Sequence, residues 1–308
     1  MVGDIVAFIQ YVRSFNQPLA QVANIANVLQ STLAAAERVF AFLEEPEESA
    51  DPMETASTDS IRGTVTFDHV HFGYNPEQTV IKDFSATIHQ GQKVAIVGPT
   101  GAGKTTMVKL LMRFYDVRDG SIQIDGTDIR QFSRSDLRGL FGMVLQDTHL
   151  FGGTVRENIR YGRLDASDEE VEQAAIVVGA DTFIRRLPDG FDTELGEAGG
   201  GFSQGQRQLI AIARAILARP AVLILDEATS SVDTRTEMLL QQAMIDLRRG
   251  RTSFIIAHRL STIREADEIL VIDHGEIIER GNHQSLMHAD TFYRRMYQGQ
   301  FAESNGSA

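Results

Sequence analysis

There is no cysteine in this chain. That excludes disulfides, thiolate nucleophiles and cysteine-ligated metals, and it leaves the cellular compartment open. Basic charge is in short supply: 29 Lys and Arg stand against 42 Asp and Glu, a formal net charge of −13. A general nucleic-acid binder carries a basic face, so nucleic acid is not expected as a partner. No stretch reaches the roughly 18 uninterrupted apolar residues that a membrane helix needs, so no complete span is expected. The N-terminus also lacks the basic n-region and small-residue cleavage site of a signal peptide. What is present, 43% hydrophobic and 23% charged residues over 308 positions, suits globular structure of one large or two small domains.

The most informative stretch is GPTGAGKTT, Gly98–Thr106. An apolar run, Val94–Val97, precedes it and reads as a buried strand; Met107–Met112 follows and reads as a helix. The pattern G-x-x-x-x-G-K-[ST] is met in full by Gly98, Pro99, Thr100, Gly101, Ala102, Gly103, Lys104 and Thr105. Glycines allow consecutive backbone N–H groups to turn inward as an anion nest. The helix N-terminus adds its positive dipole end. Lys104 is then placed for β- and γ-phosphates, and Thr105 for Mg²⁺.

Around this loop the chain falls into segments. Residues 1–15 are apolar and interrupted by Asp4. Pro18 opens a periodic stretch, Leu19 to Leu43, that predicts one amphipathic helix of about seven turns. Residues 44–60 are acidic and carry two prolines, as a linker does. TVTFDHVHF alternates, slips phase at Asp68-His69 and alternates again, which predicts a strand with a bulge. Further strands are expected at 80–88, 93–97 and 121–124. Short apolar runs at 142–145, 222–225, 254–256 and 269–272, separated by helical patterns, predict a parallel sheet covered on both faces. Ser167 and Glu170 fit a capping box, and Ser203 is placed to cap a helix ending at Pro220. The last residues, AESNGSA, are expected to be disordered.

A second constellation is VLILDEATS. Four apolar residues end in Asp226-Glu227 at a strand's C-terminal edge, where open α/β sheets bind ligands. Asp226 suits the Mg²⁺ sphere, and Glu227 suits orienting an attacking water.

With FSQGQRQ, Phe202–Gln208, the chain resembles the nucleotide-binding domain of ATP-binding cassette (ABC) transporters, from about Ile61 to Tyr297. The stretch is similar to the signature LSGGQ, with Phe202 for Leu and Gln204 for Gly. The resemblance is to exporter cassettes whose membrane domain is fused N-terminally. It implies an α/β P-loop NTPase: a RecA-like core, an antiparallel β subdomain and an ABC helical subdomain, preceded by a long N-terminal helix. It implies a cassette over 61–299, with the helical subdomain at about 147–218 and a tail at 300–308. It further implies that 1–43 is the end of the last transmembrane helix with its cytoplasmic extension, most of the membrane domain being absent.

Residue by residue, the resemblance implies that Tyr74 stacks on adenine and that Gln146 touches Mg²⁺ and the water. Asp233 crosses a dimer interface, and His258 contacts the γ-phosphate. Glu197, beside Ala198 where an Arg is usual, lies in the exporter loop that relays nucleotide state. Ser203, Gly205 and Gln206 form the signature that meets the γ-phosphate of the opposite cassette. The expected catalytic set is Glu227, His258, Gln146 and Lys104, and the expected metal set Thr105, Gln146 and Asp226. The cofactors implied are ATP and Mg²⁺, and Thr106 joins the nucleotide-binding residues implied. The partners implied are a second cassette, identical or not, and the coupling helices of a transmembrane domain, at the cytoplasmic face of a membrane. The alternatives are a degenerate or regulatory cassette with little hydrolysis and a non-transport ABC ATPase. A repair-type coiled coil has no room here, because Ser203 lies only 99 positions after Lys104.

Overall fold

The computed structural model describes residues 2–45, 47–145, 148–196, 201–227, 234–257, 260–288 and 290–302. It divides into two compact units, Met1–Ala50 and Asp51–Ala308.

The first unit is one helix, α1 (Val2–Leu43), with no buried residue. The helix does not begin at Pro18 but runs through it. Proline removes one N–H bond, and the turns on either side, free of other breakers, carry the helix across it. Its apolar side chains, among them Ile5, Phe8, Val22, Leu29, Leu33 and Phe40, are exposed within this unit. Among the described residues no helix is long and apolar enough to cross a membrane.

The second unit opens with a hairpin, β1 (Val65–Phe72) and β2 (Ile81–Ile88), followed by β3 (Lys93–Val97) and α2 (Lys104–Leu111). Next come β4 (Asp119–Ile124), β5 (Thr127–Asp128), α3 (Arg134–Gly139) and β6 (Phe141–Val144). A mainly helical stretch follows: β7 (Gly153–Thr154), α4 (Val155–Arg160), α5 (Asp168–Val177), α6 (Asp181–Ile184), β8 (Glu194–Leu195) and α7 (Gln204–Ala218). The chain then alternates again through β9 (Val222–Glu227), α8 (Thr234–Arg248), β10 (Thr252–Ala257), α9 (Leu260–Arg264) and β11 (Glu268–Asp273). It closes with β12 (Glu276–Gly281), α10 (His283–His288) and α11 (Phe292–Ala302).

Two sheets organise most of these elements, β7 and β8 pairing apart as a two-stranded antiparallel ribbon. The larger has the order β12-β11-β3-β10-β9-β6, with β11, β3, β10, β9 and β6 parallel and β12 an antiparallel edge. The smaller is antiparallel, β2-β1-β4-β5. Its β1–β2 register shifts between Phe67 and Val70, and His69 between them has φ 47°, so the phase slip in the sequence is a bulge.

The continuously apolar strands make sense face by face. Val222 and Ile224 point into the core between the two sheets, with Phe67, Phe84, Ile122 and Phe254. Their neighbours Leu223 and Leu225 point into a second core built on α4, α5, α7 and α8, with Val155, Val171, Leu209 and Ala243. A strand residue alternates sides, so a sheet covered on both faces needs apolar residues at every position. A third cluster beneath α9–α11 joins Ala95, Val97, Ile269 and Val271 to Ile263, Leu286 and Tyr293. The resulting parallel sheet presents the C-terminal ends of β3, β9 and β10 along one edge.

Candidate functional site

The register of the parallel strands sets Ile96, Ile256 and Asp226 side by side across β3, β10 and β9. Just beyond Ile96, the chain leaves β3 at Gly98 and re-enters regular structure at Lys104, the first residue of α2. The loop therefore opens at the edge where β9 ends in Asp226-Glu227.

Two glycines make this path possible. Gly98 has φ 154°, and a Cβ there would stand 2.1 Å from the Ile272 carbonyl oxygen. Gly103 has φ 109°, and its Cβ would stand 2.8 Å from Ile81 Cδ1. Any side chain at Gly98 would push the loop off the sheet edge.

The N-terminus of α2 differs from those of its neighbours. Thr154, Ser167 and Ser203 each form a full capping box on α4, α5 and α7. Gly103 caps α2 with no side-chain hydrogen bond. The first-turn amides of α2 thus keep their donor capacity for an anion, at the positive end of the helix dipole.

Lys104 completes the nest. Its Nζ donates to the carbonyls of Gly98 at 2.7 Å and Pro99 at 2.9 Å, so the ammonium folds back over the loop. Burial lowers its pKa, while the nearby Asp226 carboxylate pulls it the other way. Thr100, Gly101 and Thr105 are exposed, Ala102 and Gly103 buried.

Tyr74 lies at the same loop. Its hydroxyl is 3.1 Å from Thr106 Oγ1, and Thr106 is itself buried. Ser203 is exposed and Gly205 buried at the start of α7; Ser203 Oγ accepts from the Gln206 amide at 3.3 Å, and Gln206 Oε1 accepts from the Ser203 amide at 2.9 Å. Gln146, Glu197, Ala198, Asp233 and His258 lie outside the described residues. Glu227 is described as the last residue of β9.

The donors suit Mg²⁺. Thr105 offers an exposed hydroxyl and Asp226 a carboxylate at a strand end, both hard oxygen ligands. Among the described residues no group of three or more His, Cys, Asp or Glu could hold an ion without help. A cation bound partly by phosphate oxygens needs only such a sparse protein set.

A glycine loop between a buried parallel strand and an uncapped helix, with a lysine over it, defines a P-loop NTPase fold. The ABC transporter family matches residues 81–230, and the chain carries the ATP-binding domain of that family. It is 57% identical over 294 residues to a fatty acid ABC transporter ATP-binding/permease protein of Mycobacterium bovis, covering 96% of this chain and 46% of that protein. It is 53% identical over 300 residues to the uncharacterized ABC transporter ATP-binding protein YfiC of Bacillus subtilis, covering 97% and 50%. A solved bacterial Atm1-family ABC exporter with ATP bound superposes with a TM-score of 0.79 at 41% identity, covering all of this chain and 53% of that one. The chain spans about half the length of the relatives it matches.

Sequence reasoning missed one part of the site. Lys109 and Tyr115 surround Tyr74, at 5.5 Å and 5.1 Å from its ring centroid. A lysine on a helix carries no signal of its own; only the packing of α2 against the turn after β1 brings it there.

Proposed function

We propose that this chain is the ATP-binding and ATP-hydrolysing cassette of an ABC exporter. The observation that carries the reading is the loop at Gly98–Lys104: an uncapped helix start, a folded-back ammonium and a carboxylate-ended strand meet at one sheet edge. The ABC family's ATP-binding domain is generally an ATPase, and the Mycobacterium bovis relative is an ATP-binding/permease protein.

In this reading Tyr74 receives the adenine, the backbone amides of the Gly98–Gly103 loop other than that of Pro99 cradle the phosphates, and Lys104 leaves its loop carbonyls for β- and γ-oxygens. Thr105, Asp226 and Gln146 would hold Mg²⁺, which supplies charge neutralisation on those oxygens when bound. Glu227 orients and deprotonates the attacking water, and His258 contacts the γ-phosphate. Positioning and fixed charge supply most of the rate in such transfers. Two cassettes close head to tail, so that Ser203, Gly205 and Gln206 of one meet the γ-phosphate held by the other, with Asp233 at the interface. Ser203 is exposed, as that role requires.

The cassette spans 61–299, with a helical subdomain at about 147–218. On this assignment α1 is the cytoplasmic end of the last membrane helix and its extension. Gln146 and Glu197 relay nucleotide state to the coupling helices of a membrane domain, and the cassette works at the cytoplasmic face. The test is Glu227→Gln. It is expected to bind ATP as before, to lose turnover and to accumulate as an ATP-bound dimer in size exclusion. Undiminished steady-state hydrolysis would remove Glu227 from the catalytic role.

A further inference from the structure

Tyr74 is held more firmly than a half-exposed turn residue needs to be. Its residue surface is 45% exposed. Phe72 and Tyr115 each meet its ring at a centroid distance of 5.1 Å, edge to face. Its hydroxyl shares a hydrogen bond with Thr106 Oγ1. The backbone beneath it is equally fixed. A Cβ on Gly73 would stand 1.9 Å from the Gln78 carbonyl oxygen, so the turn closes tightly on itself. Val80 N donates to Phe72 O at 2.7 Å, Gln78 N to Asn75 O at 3.1 Å, and Arg118 Nη1 to Pro76 O at 3.2 Å.

The remaining contact is Lys109. Its half-buried ammonium lies 5.5 Å from the Tyr74 ring centroid, over the ring. The Tyr74 ring is its one polar contact among the described residues. Thr106 and Lys109 are three residues apart on α2, hence on one face of the helix. The helix that begins with Lys104 and Thr105 therefore grips Tyr74 at two points within its next turn.

We infer that Lys109 is a positioning residue for the nucleobase: by holding the Tyr74 ring over α2, it sets a stacking platform at a fixed span from the phosphate loop. The inference rests on Tyr74 receiving the base. A cation over an aromatic ring is attracted by its quadrupole and restricts the ring before any ligand arrives. Immobilising a contact group in advance removes that cost from binding. The platform reads a π-face and not a base edge, so it serves any purine nucleoside triphosphate.

The experiment measures dissociation constants by calorimetry on the whole chain with Mg²⁺, for ATP, GTP and inorganic tripolyphosphate. Lys109→Met keeps the aliphatic stem and removes the charge. It is expected to raise the constants for ATP and GTP alike, by about three- to tenfold, and to leave that for tripolyphosphate unchanged. Lys109→Arg restores the cation and is expected to bind ATP within about twofold of the parent. An unchanged ATP constant in Lys109→Met overturns the inference. So does a rise shared equally by tripolyphosphate, which would place Lys109 at the phosphates or in the stability of the fold. Tyr74→Ala separates the two levels of the reading. If it leaves ATP binding unaltered, the base platform falls and Lys109's role with it. If Tyr74→Ala weakens ATP and Lys109→Met does not, only the role of Lys109 falls.

Discussion

At the residue scale, Asp125 shows how a single carboxylate fixes the start of the cassette. It sits in the tight turn between β4 and β5 with φ 49°. Its oxygens accept from the backbone amides of Arg62, Gly63 at 3.1 Å and Thr64 at 2.8 Å. Partial burial pushes the carboxyl up, but the three amide donors outweigh it and hold its pKa below the ordinary value. A depressed folded pKa contributes stability that is present above the unfolded value, near 3.9, and is lost as pH falls through the folded one. Asp125→Asn keeps a residue that tolerates positive φ and removes only the charge. The parent is expected to be the more stable at pH 7, with the margin shrinking below about pH 4. Denaturant titrations at pH 7, 5, 4 and 3 check this; a margin constant across the series would assign the difference to shape, not charge. The pair Asp125-Gly126 directly after an apolar strand is a local turn signal. It holds no sign of the amide clamp, because the donors lie 61 to 63 residues away. The same limit applies at the phosphate loop. Lys104 and Thr105 are legible from local pattern, whereas Lys109 depends on a tertiary contact with Tyr74.

At the scale of elements, legibility follows locality. The capping box at Ser167 and the cap at Ser203 join residues three apart, so a pattern finds them, and both form, with Gln206 adding at Ser203 a reciprocal bond beyond the expected cap. The bulge at His69 is legible for the same reason. β12 and the two C-terminal helices were not anticipated. β12 is an antiparallel edge with burial alternating only between intermediate and exposed, so it carries no continuous apolar run. The helix α11 is anchored by Glu279 on β12, whose oxygens accept from the amides of Phe292 and Tyr293. The two serine caps also separate a local role from a distant one. Ser167→Ala and Ser203→Ala each remove a cap of the same geometry, so each is expected to cost about 1 kcal/mol of stability. Only Ser203 lies in the segment proposed to face a second cassette's γ-phosphate. In a Glu227→Gln background, Ser203→Ala is therefore expected to weaken the ATP-induced dimer and Ser167→Ala to leave it intact. Equal dimerisation of both variants in size exclusion would leave Ser203 with a capping role alone.

At the scale of the whole molecule, the question is where the independently folding unit begins. Composition marks 44–60 as linker, yet the compact unit starts at Asp51. The reason is electrostatic. Arg134 and Arg113 are nearly buried, and buried guanidinium groups need partners. Asp51 accepts from Arg134 Nη1 at 2.8 Å and from the Arg134 amide at 3.1 Å, with Arg113 Nη1 at 3.8 Å. Asp116 takes Arg113 Nε at 2.9 Å. Farther along, Ala56 N donates to Gln131 O at 2.9 Å, and Ala56 and Ile61 pack against the core between the sheets. An acidic, proline-bearing segment thus belongs to the fold through contacts that composition does not encode. None of the three buried clusters includes a residue before Val65, and none of α1 is buried. A chain beginning at Asp51 is accordingly expected to melt at the temperature of the parent and to bind ATP with the same constant. One beginning at Ile61 loses the Asp51 carboxylate and the Ala56 contact while keeping both arginines buried. It is expected to lose about 1–3 kcal/mol, discounted for the partial exposure of Asp51, which lowers the melting temperature of a unit this size by roughly 3–10 °C. Calorimetry of the two truncations decides between the boundaries, and equal melting would return 51–60 to the status of a linker. Asp51→Asn in the longer truncation then isolates the charge: a loss approaching that of the shorter one would place most of the effect in the carboxylate–guanidinium contacts.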